Sequence, residues 1–336
     1  MMESNSISSP SEVSSVTSVD PASAYHGRRV LVTGGAGFIG SHLARSLLSN
    51  AAEVRVLDDL STGKQENLAP GVEFIRGSVA DYAAVTEAVR GCSHVFHLAA
   101  MVSVPQSVSD PAGCFLANVA GMENMIRAAE AAGVLGFVHT SSAAVYGSNP
   151  SLPSSESDPI SCFSPYAASK ACGEFLVQAA ARAGRLRGAS VRLFNVFGPR
   201  QDPRSAYAAA ISAFVDAALA RRPAKIFGTG EQTRDFVPVA EVVAAFLLVG
   251  ANAERVAGES FNVGLGRATS ILDLVTMIAR ASQCPIAPEF HPKRAGDVEH
   301  SRASITKIRE RLGYMPVSDL YTALEELVRW EERWSA

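Results

Sequence analysis

Apolar residues along this chain fall into short continuous runs, separated by longer stretches in which they recur every three to four positions. The runs are VLVTG from Val30, EVRVLD (53–58), VEFIRG (72–77), HVFHLA (94–99), GFVHTS (136–141) and ASVRLFNV (189–196). They are rich in Val, Ile, Leu and Phe, and most lack strict alternation, which predicts strands buried on both faces of a parallel sheet. The helical period between them predicts helices from Phe38 to Leu48 and over 82–90, 112–132 and 163–183. Strand and helix alternating in this way, with no internal repeat, predict an α/β fold built on a doubly wound sheet.

The pattern changes at FGPRQDP, near residue 198, where proline and glycine become denser and strands sparse. A smaller unit is expected there, set over the carboxyl ends of the strands, the place where open α/β sheets form a ligand crevice. The expected division is a tail over 1–26 and a cofactor unit over 27–198, to which 235–264 returns. A substrate unit would then be formed by 199–234 and 265–336. The tail is serine-rich, with few large apolar side chains, and predicts no fixed structure.

Composition narrows the function classes. A net charge of −3 over 336 residues leaves no basic footprint for nucleic acid or an anionic membrane. Five scattered cysteines, none spaced C-x-x-C, argue against a disulfide framework or a zinc site and suit a reducing compartment. No basic segment followed by an apolar one marks a secretory signal, and no apolar stretch approaches the ~20 residues that span a bilayer. A soluble, cytoplasmic protein is expected, with no metal.

Two local patterns carry chemistry. In VLVTGGAGFIGSHL, Gly34, Gly35, Gly37 and Gly40 lie between a predicted strand and a predicted helix. Such glycines permit a tight turn and let backbone N–H groups approach a pyrophosphate. Asp58 ends the next strand, eighteen residues after Gly40, where a carboxylate can accept hydrogen bonds from an adenosine ribose. The same carboxylate would repel a 2′-phosphate, which favours NAD over NADP. The second pattern is YAASK, which sets Tyr166 and Lys170 on one face of a helix. A free phenol, with a pKa of about 10, is a poor base at neutral pH. A nearby ammonium is expected to lower that value and fit the tyrosine for taking and returning a proton. Alone, Tyr-x-x-x-Lys occurs by chance on many solvated helices.

TGGAGFIGSH, LDDLSTGK, HLAA, TSSAAVYG, YAASK and RLFNVFGPR, in that order, resemble the extended short-chain dehydrogenase/reductase superfamily. GTGEQTRDFVPV, FNVG and RAGDVEHS narrow the likeness to nucleotide-sugar 4-epimerases, above all those acting on UDP-N-acetylglucosamine and UDP-glucose. The resemblance runs from about Arg28 to the C-terminus. It implies a Rossmann-type sheet with a smaller C-terminal substrate domain, bound NAD, a UDP-sugar substrate and a homodimer formed through two helices per subunit. It implies roles as well: Tyr166 as acid and base, Lys170 on the nicotinamide ribose, and Ser142 on the sugar 4-oxygen. The positions matching cofactor contacts are Gly34, Gly37, Phe38, Ile39, Gly40, Asp58, Ser61, Thr62, Gly63, Ser78, Val79, Leu98, Ala99, Ala100, Asn118 and Phe194, with Tyr166 and Lys170. Those matching substrate contacts are Asn195, Ala209, Arg234, Arg294, Asp297 and Ser301, with Ser142 and Tyr166.

Departures from the pattern are informative. Ser78 stands where the family usually has an aspartate near the adenine, and Val102 where some relatives have a lysine. After Ser142 come Ala143 and Ala144, where 4,6-dehydratases resemble one another in an Asp-Glu pair and UDP-glucuronate decarboxylases carry a glutamate. Alanine cannot move a proton, which leaves epimerisation ahead of elimination or decarboxylation. A non-catalytic sensor on the same fold usually lacks the tyrosine or the lysine, and both are present. Ser301 matches a position where a tyrosine confines the pocket to non-acetylated sugars, so acceptance of UDP-GlcNAc/UDP-GalNAc together with UDP-Glc/UDP-Gal is expected. An epimerase restricted to UDP-Glc/UDP-Gal, or to UDP-glucuronate, is the alternative.

Overall fold

A computed structural model of the chain describes residues 21–149, 151–202, 210–293 and 298–335. In the first half, helix α1 (Pro21–Tyr25) leads into β1 (Arg29–Thr33), α2 (Phe38–Ser49), β2 (Glu53–Asp58), β3 (Glu73–Arg76), α3 (Tyr82–Val89) and β4 (His94–His97). Helices α4 (Val104–Ser109), α5 (Pro111–Phe115) and α6 (Gly121–Ala132) precede β5 (Gly136–Ser142), α7 (Pro165–Arg182), β6 (Gly188–Leu193) and β7 (Asn195–Phe197). Next come α8 (Ala210–Leu219), β8 (Ala224–Phe227), β9 (Thr233–Arg234), β10 (Phe236–Pro238), α9 (Val239–Ala251) and β11 (Ser260–Val263). The chain closes with β12 (Thr269–Ser270), α10 (Ile271–Ala281), β13 (Pro288–His291), α11 (Thr306–Leu312) and α12 (Leu320–Ser335).

Seven strands form one sheet in the order β11-β6-β5-β4-β1-β2-β3, and every neighbouring pair is parallel. Helices cover both faces, and this is why the strands are continuously apolar. On one face Leu43 and Leu47 of α2 and Val242 and Phe246 of α9 pack over Val30, Val32 and Phe96. On the other, Val85 of α3, Met122 and Met125 of α6 and Val177 of α7 cover Leu31, Val95 and Phe137. A separate core joins Ile211 and Val215 of α8, Leu274 and Ile278 of α10, and Leu324 and Leu327 of α12. The order reverses at β1, whose neighbours are β2 and β4, the switch point at which open α/β sheets bind ligands beyond the carboxyl ends of their strands.

Three expectations need correction. The tail does not reach residue 26: α1 belongs to the fold, with Tyr25 fully buried and its hydroxyl donating to the Leu247 carbonyl at 2.7 Å. The rest of that expected tail, residues 1–20, lies outside the described residues. The helix expected over 112–132 contains a π turn, Leu116–Ala120, which swings Asn118 inward. The strand expected over 189–196 ends at Leu193. Phe194 still donates to Val263 of β11, but the next amide, Asn195, donates to Asp235, so the chain leaves the main sheet to pair with β10. No described helix is long and apolar enough to cross a membrane. All five cysteines are free thiols.

Candidate active site

The glycine loop leaves β1 with almost no room for side chains. Gly34 has a φ of 70°, and a Cβ there would lie 2.8 Å from the Ala99 nitrogen. A Cβ on Gly40 would lie 2.2 Å from the Gly34 carbonyl oxygen, so only glycine lets α2 start this close beneath the loop. Around Gly37 the nearest atom to such a Cβ is again the Gly34 oxygen, at 3.2 Å. Phe38 and Ile39 therefore begin a helix whose N-terminus is approached over bare backbone, a shape and polarity that fit a pyrophosphate.

Asp58, at the end of β2, is 7% exposed, and its carboxylate ties two loops together. Oδ2 accepts from the Ala36 amide at 3.0 Å and Oδ1 from the Leu60 amide at 2.8 Å. A carboxylate has lone pairs to spare for a ribose hydroxyl after these bonds. Burial raises its pKa above the ordinary value, against the pull of the two amides. Gly63 packs beside it, where a Cβ would sit 2.9 Å from Oδ1, while Ser61 and Thr62 are exposed on the adjoining turn. Across β1, the Leu98 and Ala99 amides each donate to Thr33 Oγ1 at 3.2 Å, holding the strand end Leu98–Ala100 against the glycine loop. Donor amides at α2, a carboxylate beyond β2 and small residues after β4 fit a dinucleotide.

Two other expected cofactor positions, Asn118 and Ser78, also brace the fold. Asn118 is 4% exposed, and its side chain pairs with the Met101 peptide, accepting at 2.7 Å and donating at 3.0 Å. It also donates to Ser169 Oγ at 2.9 Å, so it links the loop after β4 to α7. Ser78 Oγ accepts from the Ala80 amide at 3.2 Å, stabilising its own turn, while Val79 and Phe194 are buried. Val102 is 61% exposed.

At the end of β5, Ser142 faces the start of α7. Ser164 caps that helix, its Oγ accepting from the Ala167 amide at 3.1 Å, and Pro165 fixes the first turn. The Tyr166 amide donates to Ser107 Oγ at 3.1 Å, so α4 pins the same turn from outside. The Ser142 hydroxyl acts on the Tyr166 phenol, drawing its pKa down. One helical turn on, Lys170 is 4% exposed, donates from Nζ to the Thr140 carbonyl at 2.8 Å, and lies 5.8 Å from the centre of the Tyr166 ring. Burial pushes Lys170 down to about 8, which leaves it a cation at neutral pH.

For Tyr166 the expected direction reverses. Burial raises the phenol above its ordinary value, and the opposing pull comes from Ser142 rather than from Lys170. The nearby Cys114 thiol adds to the rise. A phenol enclosed in this way loses hydration faster than a cation 5.8 Å from its ring can compensate.

On the substrate side, Asn195 and Arg234 begin and end short strands beside Asp235. Arg234 Nη1 donates to the Glu299 carbonyl at 3.1 Å, and the Ser301 amide donates to the Thr233 carbonyl at 3.1 Å, which brings Ser301 next to Arg234. Ala209, Arg294 and Asp297 lie outside the described residues. Asp235 was not singled out from sequence, yet it is fully buried and its carboxylate accepts from the Leu265, Gly266 and Ala303 amides. Its place directly after Arg234 in the motif TRDF was the available signal. No group of three metal-ligating side chains occurs among the described residues.

Sheet, glycine cradle and a Ser–Tyr–Lys group at the strand ends define a dinucleotide-dependent enzyme. The chain belongs to the NAD dependent epimerase/dehydratase family, whose model matches residues 30–264, and its cofactor is NAD. It is 43% identical over 310 residues to a UDP-glucose 4-epimerase of Mycolicibacterium smegmatis, covering 90% of this chain and 98% of that one. Among solved structures it is similar to a UDP-N-acetylglucosamine 4-epimerase from Methanobrevibacter ruminantium in complex with UDP-N-acetylmuramic acid. That match has a TM-score of 0.88 and 35% identity, and covers 92% and 99% of the two chains. A UDP-glucose 4-epimerase from Thermotoga maritima with UDP-glucose matches with a TM-score of 0.87 and 35% identity, covering 92% and 100%.

Proposed function

We propose that this chain is an NAD-dependent UDP-sugar 4-epimerase that interconverts UDP-GlcNAc with UDP-GalNAc and also UDP-Glc with UDP-Gal. The observation that carries the reading is Tyr166 set 5.8 Å from the buried, tethered Lys170 ammonium and acted on by Ser142, with Ala143 and Ala144 next to that serine. Elimination of water or loss of carboxylate needs a further proton-moving group near the serine, and neither alanine can serve. Proton transfer at a single hydroxyl needs only the tyrosine.

NAD, when bound, would supply the hydride acceptor for the sugar C4 and the hydride donor for the opposite face of the 4-keto sugar. Tyr166 removes the proton from the 4-hydroxyl and later gives it back, and Ser142 holds that oxygen in reach of the phenol. The Lys170 ammonium, fixed by the Thr140 carbonyl, orients the ribose and keeps positive charge beside the phenol. Arg234, with Arg294 and Asn195, would hold the diphosphate and the sugar, since guanidinium forks suit phosphate oxygens. Incubating the purified protein separately with UDP-Glc and UDP-GlcNAc, with NMR of the products, tests the assignment. The appearance of the matching 4-epimers supports it, and a 4-keto-6-deoxy sugar or no conversion sinks it.

The division into a cofactor unit (27–198 with 235–264) and a substrate unit (199–234 with 265–336) is supported by β11, which extends the main sheet beyond β6, and by the separate core of α8, α10 and α12. A homodimer is supported by large apolar side chains left exposed on neighbouring helices: Val108, Phe115, Leu116 and Phe175. Phe175→Glu is expected to convert the dimer to monomer in sedimentation velocity. A variant that sediments unchanged as a dimer would exclude α7 from the contact.

A further inference from the structure

The face of α7 that carries Tyr166 and Lys170 continues to Glu174, at the next i+4 step. Glu174 and Arg192 of β6 form an ion pair in which each side chain is 5% exposed. The pairing is bidentate: Arg192 Nε donates to Oε1 at 2.9 Å and Nη2 to Oε2 at 2.7 Å. Both carboxylate oxygens have a second donor. Ser141 Oγ donates to Oε1 at 2.5 Å and Ser260 Oγ to Oε2 at 3.1 Å. The third guanidinium nitrogen, Nη1, donates to the Tyr146 hydroxyl at 2.8 Å, and that hydroxyl donates to Asn262 Oδ1 at 2.7 Å.

Burial this complete makes the pair an inefficient source of stability, because the cost of desolvating two charges offsets most of their attraction. Burial alone would lower the Arg192 guanidinium, and the Glu174 carboxylate holds it above its ordinary value. What the pair supplies is geometry. Ser141 immediately precedes Ser142, and Tyr146 ends the single helical turn that begins at Ala143. One carboxylate on α7 thus holds Ser141 directly and, through Arg192, Tyr146, so both flanks of Ser142 are tied to the helix that bears Tyr166.

We propose that Glu174 and Arg192 are positioning residues that set the distance between the Ser142 and Tyr166 hydroxyls and so govern proton transfer. The inference rests on Ser142 and Tyr166 being the reacting pair. Glu174→Gln keeps size and removes the charge. It is expected to lower kcat about 100-fold, as a misplacement near 1 Å can do, with KM for the UDP-sugar little changed. Because Ser142 draws the phenol pKa down, a displaced Ser142 should also move the acidic limb of the kcat–pH profile to higher pH. Ser141→Ala leaves the ion pair intact and detaches only the end of β5. It should show a smaller loss with the same upward shift, and it decides the matter if Glu174→Gln does not fold. Near wild-type kcat in a folded variant, a rise in KM alone, or a loss of kcat with an unmoved pH profile would overturn the proposal. Tyr166→Phe is the control: if it too leaves turnover intact, the reading of the reacting pair has failed, whereas if only the Glu174 and Ser141 variants are silent, only the positioning role has.

Discussion

Tyr166→Phe is expected to lower kcat for UDP-sugar epimerisation by roughly 10²–10⁴-fold, the range attached to losing a positioned acid–base group. The ring is retained, so its place beside Lys170 is retained as well. Only the hydroxyl is lost, and Ser142 still accepts from the Ala144 amide at 3.2 Å. KM should therefore change little, and the variant should still bind NAD. The pH dependence follows from the direction of the shift. Burial raises the Tyr166 phenol, so the phenolate is scarce at neutral pH and kcat should rise with pH toward the value the phenol has in the complex. A positive nicotinamide beside it would bring that value down. In the Tyr166→Phe variant this limb should vanish along with most of the activity. Turnover within about 10-fold of wild type, well short of the ~10²-fold low edge of what such a group contributes, would assign the proton transfer elsewhere.

How much of this site can be read from sequence depends on whether a property is local. The strands of the main sheet stand out because burial on both faces forces unbroken apolar runs. The glycine loop stands out because close backbone approach excludes every other residue at Gly34 and Gly40. Tyr166 and Lys170 are visible through their spacing. Glu174 continues that spacing, yet beside an arginine eighteen residues away in sequence it looks like one more surface charge. Its burial exists only once β6 has been laid beside β5. The π turn at Asn118 is hidden for a similar reason. Its cause is a set of bonds to Met101 and Ser169, far along the chain, while the apolar period through 112–132 runs on as a helix would. The break at Phe194 follows a change of partner from β11 to β10, which no window around residue 194 contains. The direction of the Tyr166 shift is hidden too, because charge shows in a sequence and desolvation does not.

Ser301→Tyr is expected to reduce epimerisation of UDP-GlcNAc and UDP-GalNAc by more than about 100-fold while sparing UDP-Glc and UDP-Gal. A single methylene of misfit in a pocket is already worth about 10–200-fold, and a phenol in place of a hydroxymethyl group is a far larger obstruction. The selectivity depends on the backbone staying where it is, and three contacts fix it. The Ser301 amide donates to the Thr233 carbonyl, His300 bridges to Thr233, and two residues on, the Ala303 amide is held by buried Asp235 at 3.0 Å. From the other side Ala303 pairs with Ser154. With the backbone held in this way a tyrosine has little room to retreat, and under the proposed reading its ring would take the space an N-acetyl group at C2 needs. Sugars without that group would, on the same reading, lose nothing they use. The check is kcat/KM for both substrate pairs on the same preparation. An equal loss on the two pairs would mean that residue 301 is a structural serine and that the choice of sugar is made elsewhere in the crevice.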